Sequence, residues 1–120
     1  MNRLYMDGII ASKPVFKMEP GEAPHLTFRL GVRHKTRSGE MRFEYYRISA
    51  WHKTALWAQD KLQRGQLISV AGYLTQRRVQ RTEETLHCAE IVAKQLRLLK
   101  PLGKAGAEAA RENSTVDGAA

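Results

Sequence analysis

A chain of 120 residues has room for one domain with a modest core and a short tail. At 42% hydrophobic and 27% charged it has a globular composition; no apolar run approaches the ~20 residues of a membrane span, the N-terminus lacks the apolar core of a signal peptide, and the single cysteine, Cys88, excludes an internal disulfide framework or a Cys-based zinc cluster. Twenty Lys and Arg against twelve Asp and Glu give a net charge of +8 and a pI near 10.0, which point to a polyanionic partner, nucleic acid first and an acidic membrane surface second.

The first predicted strand covers about Arg3–Ala11 and stops before Pro14. The next, His25–His34, alternates with period two: Leu26, Phe28, Leu30 and Val32 on one face, Thr27, Arg29 and Arg33 on the other. The loops MEPGEAP and KTRSGE flank it. A long strand over about Met41–Trp51 splits in the same way. Tyr46, Ile48 and Ala50 form a core face; Phe43, Tyr45, Arg47, Ser49 and Trp51 form the other. A short helix follows, with Thr54 as the expected N-cap, Ala55, Ala58 and Leu62 at helical spacing, and Gly65 at its stop. The strand in QLISVAGYLTQRRV sends Ile68, Val70 and Leu74 to the core and Tyr73, Thr75 and Arg77 to the opposite face. A last strand lies within about Thr85–Leu99, with poor alternation.

This order, three strands, one short helix, two strands, predicts an all-β protein: a five-stranded barrel of the OB type with the helix between strands 3 and 4. The expected domain is 1–100. The Ala-, Gly- and polar-rich 101–120 reads as a flexible, disordered tail. The tail holds two basic and three acidic residues, so the surplus of cations lies on the folded part.

The functional signal is the aromatic–basic alternation on one face of the third strand. Every base has a π-face, so a flat aromatic can stack on it without reading sequence, at roughly 1–3 kcal/mol per base. Cations between the aromatics hold phosphates and release counterions. Tyr45 and Trp51 are the expected stacking residues, with Tyr73 a third. Arg47, Lys53 and Arg77 are the phosphate contacts beside them. Loop and strand-end cations Arg33, Lys35, Arg37, Arg42, Arg78 and Arg81 extend the basic surface. No catalytic constellation is visible. The four histidines lack metal spacing, Glu83-Glu84 reads as a solvated turn, His87 and Cys88 would face opposite ways, and Cys88 and Trp57 read as packing residues. No cofactor is expected.

Several short motifs, in order, resemble the bacterial and phage single-stranded DNA-binding proteins. They are MNRLYMDGIIASKP; Glu44-Tyr45 with Trp51-His52-Lys53-Thr54-Ala55; Leu62-Gln63-Arg64-Gly65-Gln66-Leu67; Gly72-Tyr73-Leu74-Thr75-Gln76-Arg77; and Ala89-Glu90-Ile91-Val92-Ala93. The resemblance implies an OB fold, sequence-tolerant binding of single-stranded DNA in replication, recombination or repair, a cytoplasmic, nucleoid-associated protein, and a homotetramer, with a dimer as the alternative. By position it adds Arg3, Lys17 and Arg64 to the backbone contacts. The chain departs from the family where aromatics are common: those stretches read RHKTRS and RRVQR, so steeper salt dependence is expected. Tyr46 replaces a frequent His near subunit contacts, and the tail ends VDGAA without an acidic, aromatic tip, which withdraws support from tail-mediated protein partners. Two other readings stay open, an OB-type assembly module for primosome loading and an RNA-binding OB domain.

Overall fold

The computed structural model describes residues 1–100; the expected tail, 101–120, lies outside them. Six strands and one helix follow in order: β1 (Leu4–Ile10), β2 (Val15–Lys17), β3 (His25–Lys35), β4 (Met41–Trp51), α1 (His52–Gln59), β5 (Leu67–Arg81) and β6 (Glu84–Lys100). The sheet runs β1-β5-β6-β4-β3-β2, and a further pairing of β1 with β3 closes it. The closing ring β1-β5-β6-β4-β3 is the expected five-stranded barrel, with the helix after its third strand. β2 is an extra three-residue edge that pairs with the start of β3. All pairings are antiparallel except β4 with β6, where Ile48 faces Ile91.

The alternation of β3 and β4 fills the barrel. Leu26, Phe28, Leu30, Ile48 and Ala50 point inward with Ile10, Ile68, Val70, Ile91 and Leu96, and all are buried. Burying one such aliphatic side chain contributes roughly 1.5–3 kcal/mol. Helix α1 closes the bottom with Ala55 and Ala58, and Leu62, just past its end, completes that layer.

The poor alternation of the last strand has a structural cause. Ala71 pairs with Gln95 and Gly72 with Ala93, so Lys94 is an extra residue, and a second shift sits between Leu67 and Ile68. The bulge at Lys94 moves the buried positions of β6 from Ile91 and Ala93 to Leu96, breaking the period of two. The first bulge also explains Gly72, where any Cβ would collide with the carbonyl oxygen of Val92.

Four local expectations are corrected. Trp51, not Thr54, stands at the helix N-cap and makes no side-chain cap bond; Thr54 lies inside the first turn. The chain enters α1 through His52 at φ 56°, a left-handed conformation that lets extended backbone turn directly into helix and leaves no polar cap residue. Leu74 is 49% exposed rather than core, because β1 begins at Leu4 opposite Gly72; on the β1 side the Asn2 side chain bonds the Leu74 N–H and C=O in place of a strand. Cys88 is exposed. Trp57 is 37% exposed on the outer side of α1, with Lys61 Nζ 5.6 Å from its ring centroid. Among the described residues no helix is long and apolar enough to cross a membrane.

Candidate nucleic-acid interface

The outward-facing residues of β3, β4, β6 and β5 form one continuous surface, because these strands are consecutive neighbours in the sheet. The register says which side chains meet. Across β3 and β4 the pairs are His25 with Trp51, Thr27 with Ser49, Arg29 with Arg47, Gly31 with Tyr45, and Arg33 with Phe43. Across β5 and β6 they are Tyr73 with Val92, Thr75 with Glu90, and Arg77 with Cys88. Residues paired in this way lie on one face.

Three aromatic positions lie along β4, each set by a neighbour. The Trp51 indole stacks on the His25 imidazole, with ring centroids 3.8 Å apart and planes 14° off parallel. His25 covers one indole face and leaves the other for a further ring. Tyr45 lies opposite Gly31, where an added Cβ would come within 3.1 Å of the phenol ring; glycine lets the ring lie close to the sheet. Phe43 carries the Arg33 guanidinium 5.8 Å above its ring. On the neighbouring strands Tyr73 has the Lys94 ammonium 5.6 Å from its ring, and Trp51, Lys53, Tyr73 and Lys94 line one shallow groove. Lys17, His25 and Trp51 line a second. Trp51 is the partition between the two.

At the centre of the face lies a residue that sequence reading passes over. Glu90 is 7% exposed. Its Oε1 accepts a hydrogen bond from the fully buried Ser49 hydroxyl. Its Oε2 lies 3.4 Å from Arg47 Nε and 3.3 Å from Arg77 Nε. Arg47 and Arg77 thus come together around a carboxylate. Both line a groove of about 400 Å³ with Lys13, Arg29, Ser12 and Cys88. Burial, with Arg47 next and Lys17 adding to it, pushes the His25 imidazole below its ordinary pKa, against an opposing pull from Glu90.

The remaining expected cations divide. Lys35 shares the parity of Arg33 towards the tip of the β3–β4 hairpin, and Arg37 sits in its turn. Arg81, opposite Glu84, shares the parity of Arg77 at the tip of the β5–β6 ribbon. Arg42 and Arg78 have the opposite parity and lie on the reverse of these arms. Arg42 is 3.6 Å from Glu44, which also approaches His34, while Arg78 pairs with His87. Burial first, and then Glu44, raises the Tyr46 phenol above its usual pKa on that reverse side. Arg64 lines a separate groove with Phe16 and Leu62 at the helix end, and Arg3 is exposed just before β1. The structure therefore does not bring Arg42, Arg78 or Arg64 to the aromatic face. Arg29, a basic residue the sequence already sets beside Arg33, lies on this face, and the additions the structure makes are His25, Phe43, Glu90, Lys94 and Lys13. Parity alone is enough to find Arg29 and Phe43. His25, Glu90 and Lys94 depend on cross-strand register or on the β6 bulge, and Lys13 reaches the groove from the loop between β1 and β2.

Comparison with known proteins agrees with this architecture. The model of the single-strand binding protein family matches residues 1–99. A single-stranded DNA-binding protein of Caldanaerobacter subterraneus subsp. tengcongensis is 28% identical over 115 residues, covering 93% of this chain and 77% of the relative. Among solved structures, the small single-stranded DNA-binding protein of Streptomyces coelicolor superposes with a TM-score of 0.61 at 25% identity, over 80% of this chain and 92% of that one. A deletion mutant of the single-stranded DNA binding protein from Thermus aquaticus gives 0.67 at 25% identity, over 83% of this chain and 51% of that one. The Plasmodium falciparum SSB, solved in complex with ssDNA, gives 0.70 at 21% identity over 83% and 96%, a likeness of fold.

Proposed function

Because the chain belongs to the single-strand binding protein family, we propose that it coats single-stranded DNA without sequence readout or catalysis, along the outer face of β3, β4, β6 and β5. The observation that carries this reading is that the register brings rings and cations from neighbouring strands onto one face. Trp51, Tyr45 and Tyr73 stack bases, and Phe43 extends their row. Arg47, Arg77, Lys53, Lys17 and Arg29 hold the backbone beside them, and Lys35, Arg37, Arg33 and Arg81 extend the contact along the two arms. The rings give a sequence-tolerant π-surface, while the cations supply the salt-dependent part. Residues 1–100 form the binding unit.

The protein acts in the cytoplasm, in replication, recombination or repair, as a homo-oligomer, with a tetramer the first expectation. Exposed apolar side chains away from the aromatic face, Tyr5, Leu98 and Leu99, support self-association. The test is a tryptophan-fluorescence titration with oligothymidine at several salt concentrations, with duplex DNA as control. Strong quenching, preference for the single strand and a log–log salt slope of about −0.7 per phosphate neutralised are expected. Equal affinity for duplex, or binding without quenching, would remove the stacking surface from the reading and favour the assembly-module alternative.

A further inference from the structure

We propose that Glu90 is a positioning residue of the interface: it holds Arg47 and Arg77 side by side so that both present their guanidinium ends to one stretch of phosphate backbone. This rests on the reading above, in which those two arginines meet phosphates.

The first reason is energetic. A nearly buried carboxylate in the middle of a polyanion-binding face loses hydration and repels the ligand. An apolar side chain of similar size would pack between β4 and β5 without either penalty, so packing alone does not account for an acid here. The second reason is geometric. Both arginines bring Nε close to the same oxygen, Oε2; the Arg47 Nε–H is buried without a hydrogen-bond partner, so charge rather than a directed hydrogen bond ties it to the carboxylate. A guanidinium that turns Nε towards its partner keeps donors on its terminal nitrogens free to face elsewhere. Because the approaches converge on one atom, the two forks share one place although Arg47 comes from β4 and Arg77 from β5. The third reason is that the anchor is itself fixed. Ser49, fully buried on β4, donates to Oε1 and sets the rotation of the carboxylate. Three strands thus meet at one acid whose outward side is the groove lined by Lys13, Arg29, Arg47 and Arg77. Side chains ordered before binding need not be ordered by the ligand, and affinity gains by that difference.

The proposal and simple electrostatics predict opposite signs. Glu90→Gln keeps the shape and the Ser49 contact but removes the negative charge. Coulomb attraction alone would tighten binding to oligothymidine and steepen its salt slope. The positioning role predicts a loss of about tenfold near 0.2 M salt, measured at a temperature where the variant's thermal melt shows it fully folded. Unchanged or tighter binding overturns the proposal. The double variant Arg47→Gln/Arg77→Gln separates the two levels of the argument. If that pair alone leaves affinity intact, the assignment of the arginines to the backbone fails, and Glu90 has nothing to position. If the pair weakens binding, Glu90→Gln on top of it should cause no further loss; an equal loss in both backgrounds means that Glu90 supports the sheet, and overturns the proposal. Should Glu90→Gln not fold, Ser49→Ala frees Oε1 without changing any charge. A loss of about threefold is then expected, and unaltered affinity overturns the proposal.

Discussion

The outer face has two regions of different construction. On the barrel wall, around His25, Tyr45, Arg47, Trp51 and Glu90, each functional group is held by a neighbour from another strand: imidazole on indole, glycine beneath phenol, carboxylate between guanidiniums. On the two arms, beyond Val32 on β3 and Thr75 on β5, most side chains are exposed, and cations are fixed mainly by their place on a ribbon. The wall has the buried apolar layer of the barrel directly behind it; the arms have none. Placing a ring to within a fraction of an ångström needs that backing, whereas neutralising a phosphate needs only charge nearby. The wall is therefore built to stack, and the arms to add electrostatic reach.

Removing the backing should give the largest effect. Ile68 is fully buried on β5 behind the wall, and Ile68→Ala should cost about 2–5 kcal/mol of stability. Chemical denaturation would measure it. If DNA binding through the arms survived under conditions where the barrel had melted, the two regions would not depend on one core.

The next effect is confined to the wall. Tyr45→Ala and Trp51→Ala should each weaken binding to oligothymidine by about 1–3 kcal/mol, the worth of one stacked base. Fluorescence anisotropy with a labelled oligomer measures this for both variants, including the one that loses its reporting indole. The loss should persist at high salt because stacking releases few counterions. Unchanged affinity in the double variant would remove both residues from the interface.

Smaller again is the contribution of the arms, and here the two sides of each ribbon can be told apart. Replacing Arg37 and Arg81 by Gln should flatten the log–log salt slope by about 0.7 for each phosphate that is no longer neutralised, with little change at high salt. Arg42→Gln and Arg78→Gln, on the reverse, should leave the slope nearly unchanged. Equal changes for both pairs would mean that the arms act as a diffuse cloud of charge with no facing.

The same division explains how much of the molecule is legible in the amino-acid order alone. The barrel is legible because Leu26, Phe28 and Leu30, and Ile48 and Ala50, alternate strictly, and because Gly72 and Gly65 interrupt the pattern where the chain bends. Tyr45, Arg47, Trp51 and Arg77 are legible from the same parity. Leu74 defeats that reading because parity is blind to where the neighbouring strand ends, and Thr54 because an N-cap rule cannot foresee that His52 adopts a left-handed conformation. Glu90 and His25 escape it for a deeper reason. Each takes its role from partners on other strands, Trp51 for His25 and Arg47, Arg77 and Ser49 for Glu90, and no local pattern encodes such a meeting.

The subtlest effect lies in the wall and is read by pH. The His25 imidazole is held below its ordinary pKa by burial, with Arg47 and Lys17 beside it adding to the effect and Glu90 opposing it. An unfolded His titrates near about 6.5. Above that value His25 is neutral in both states and contributes no pH dependence. As pH falls through it, the unfolded chain takes up the proton first, so stability is lost until the pH passes below the folded value. Below both, the loss is complete and constant. Thermal melts from about pH 8 to about pH 5 should therefore fall more for the wild type than for His25→Gln, the difference opening just below about pH 7. If the two profiles run parallel, His25 protonates without leaving its partners, and the His25–Trp51 stack is a looser contact than the rest of the wall.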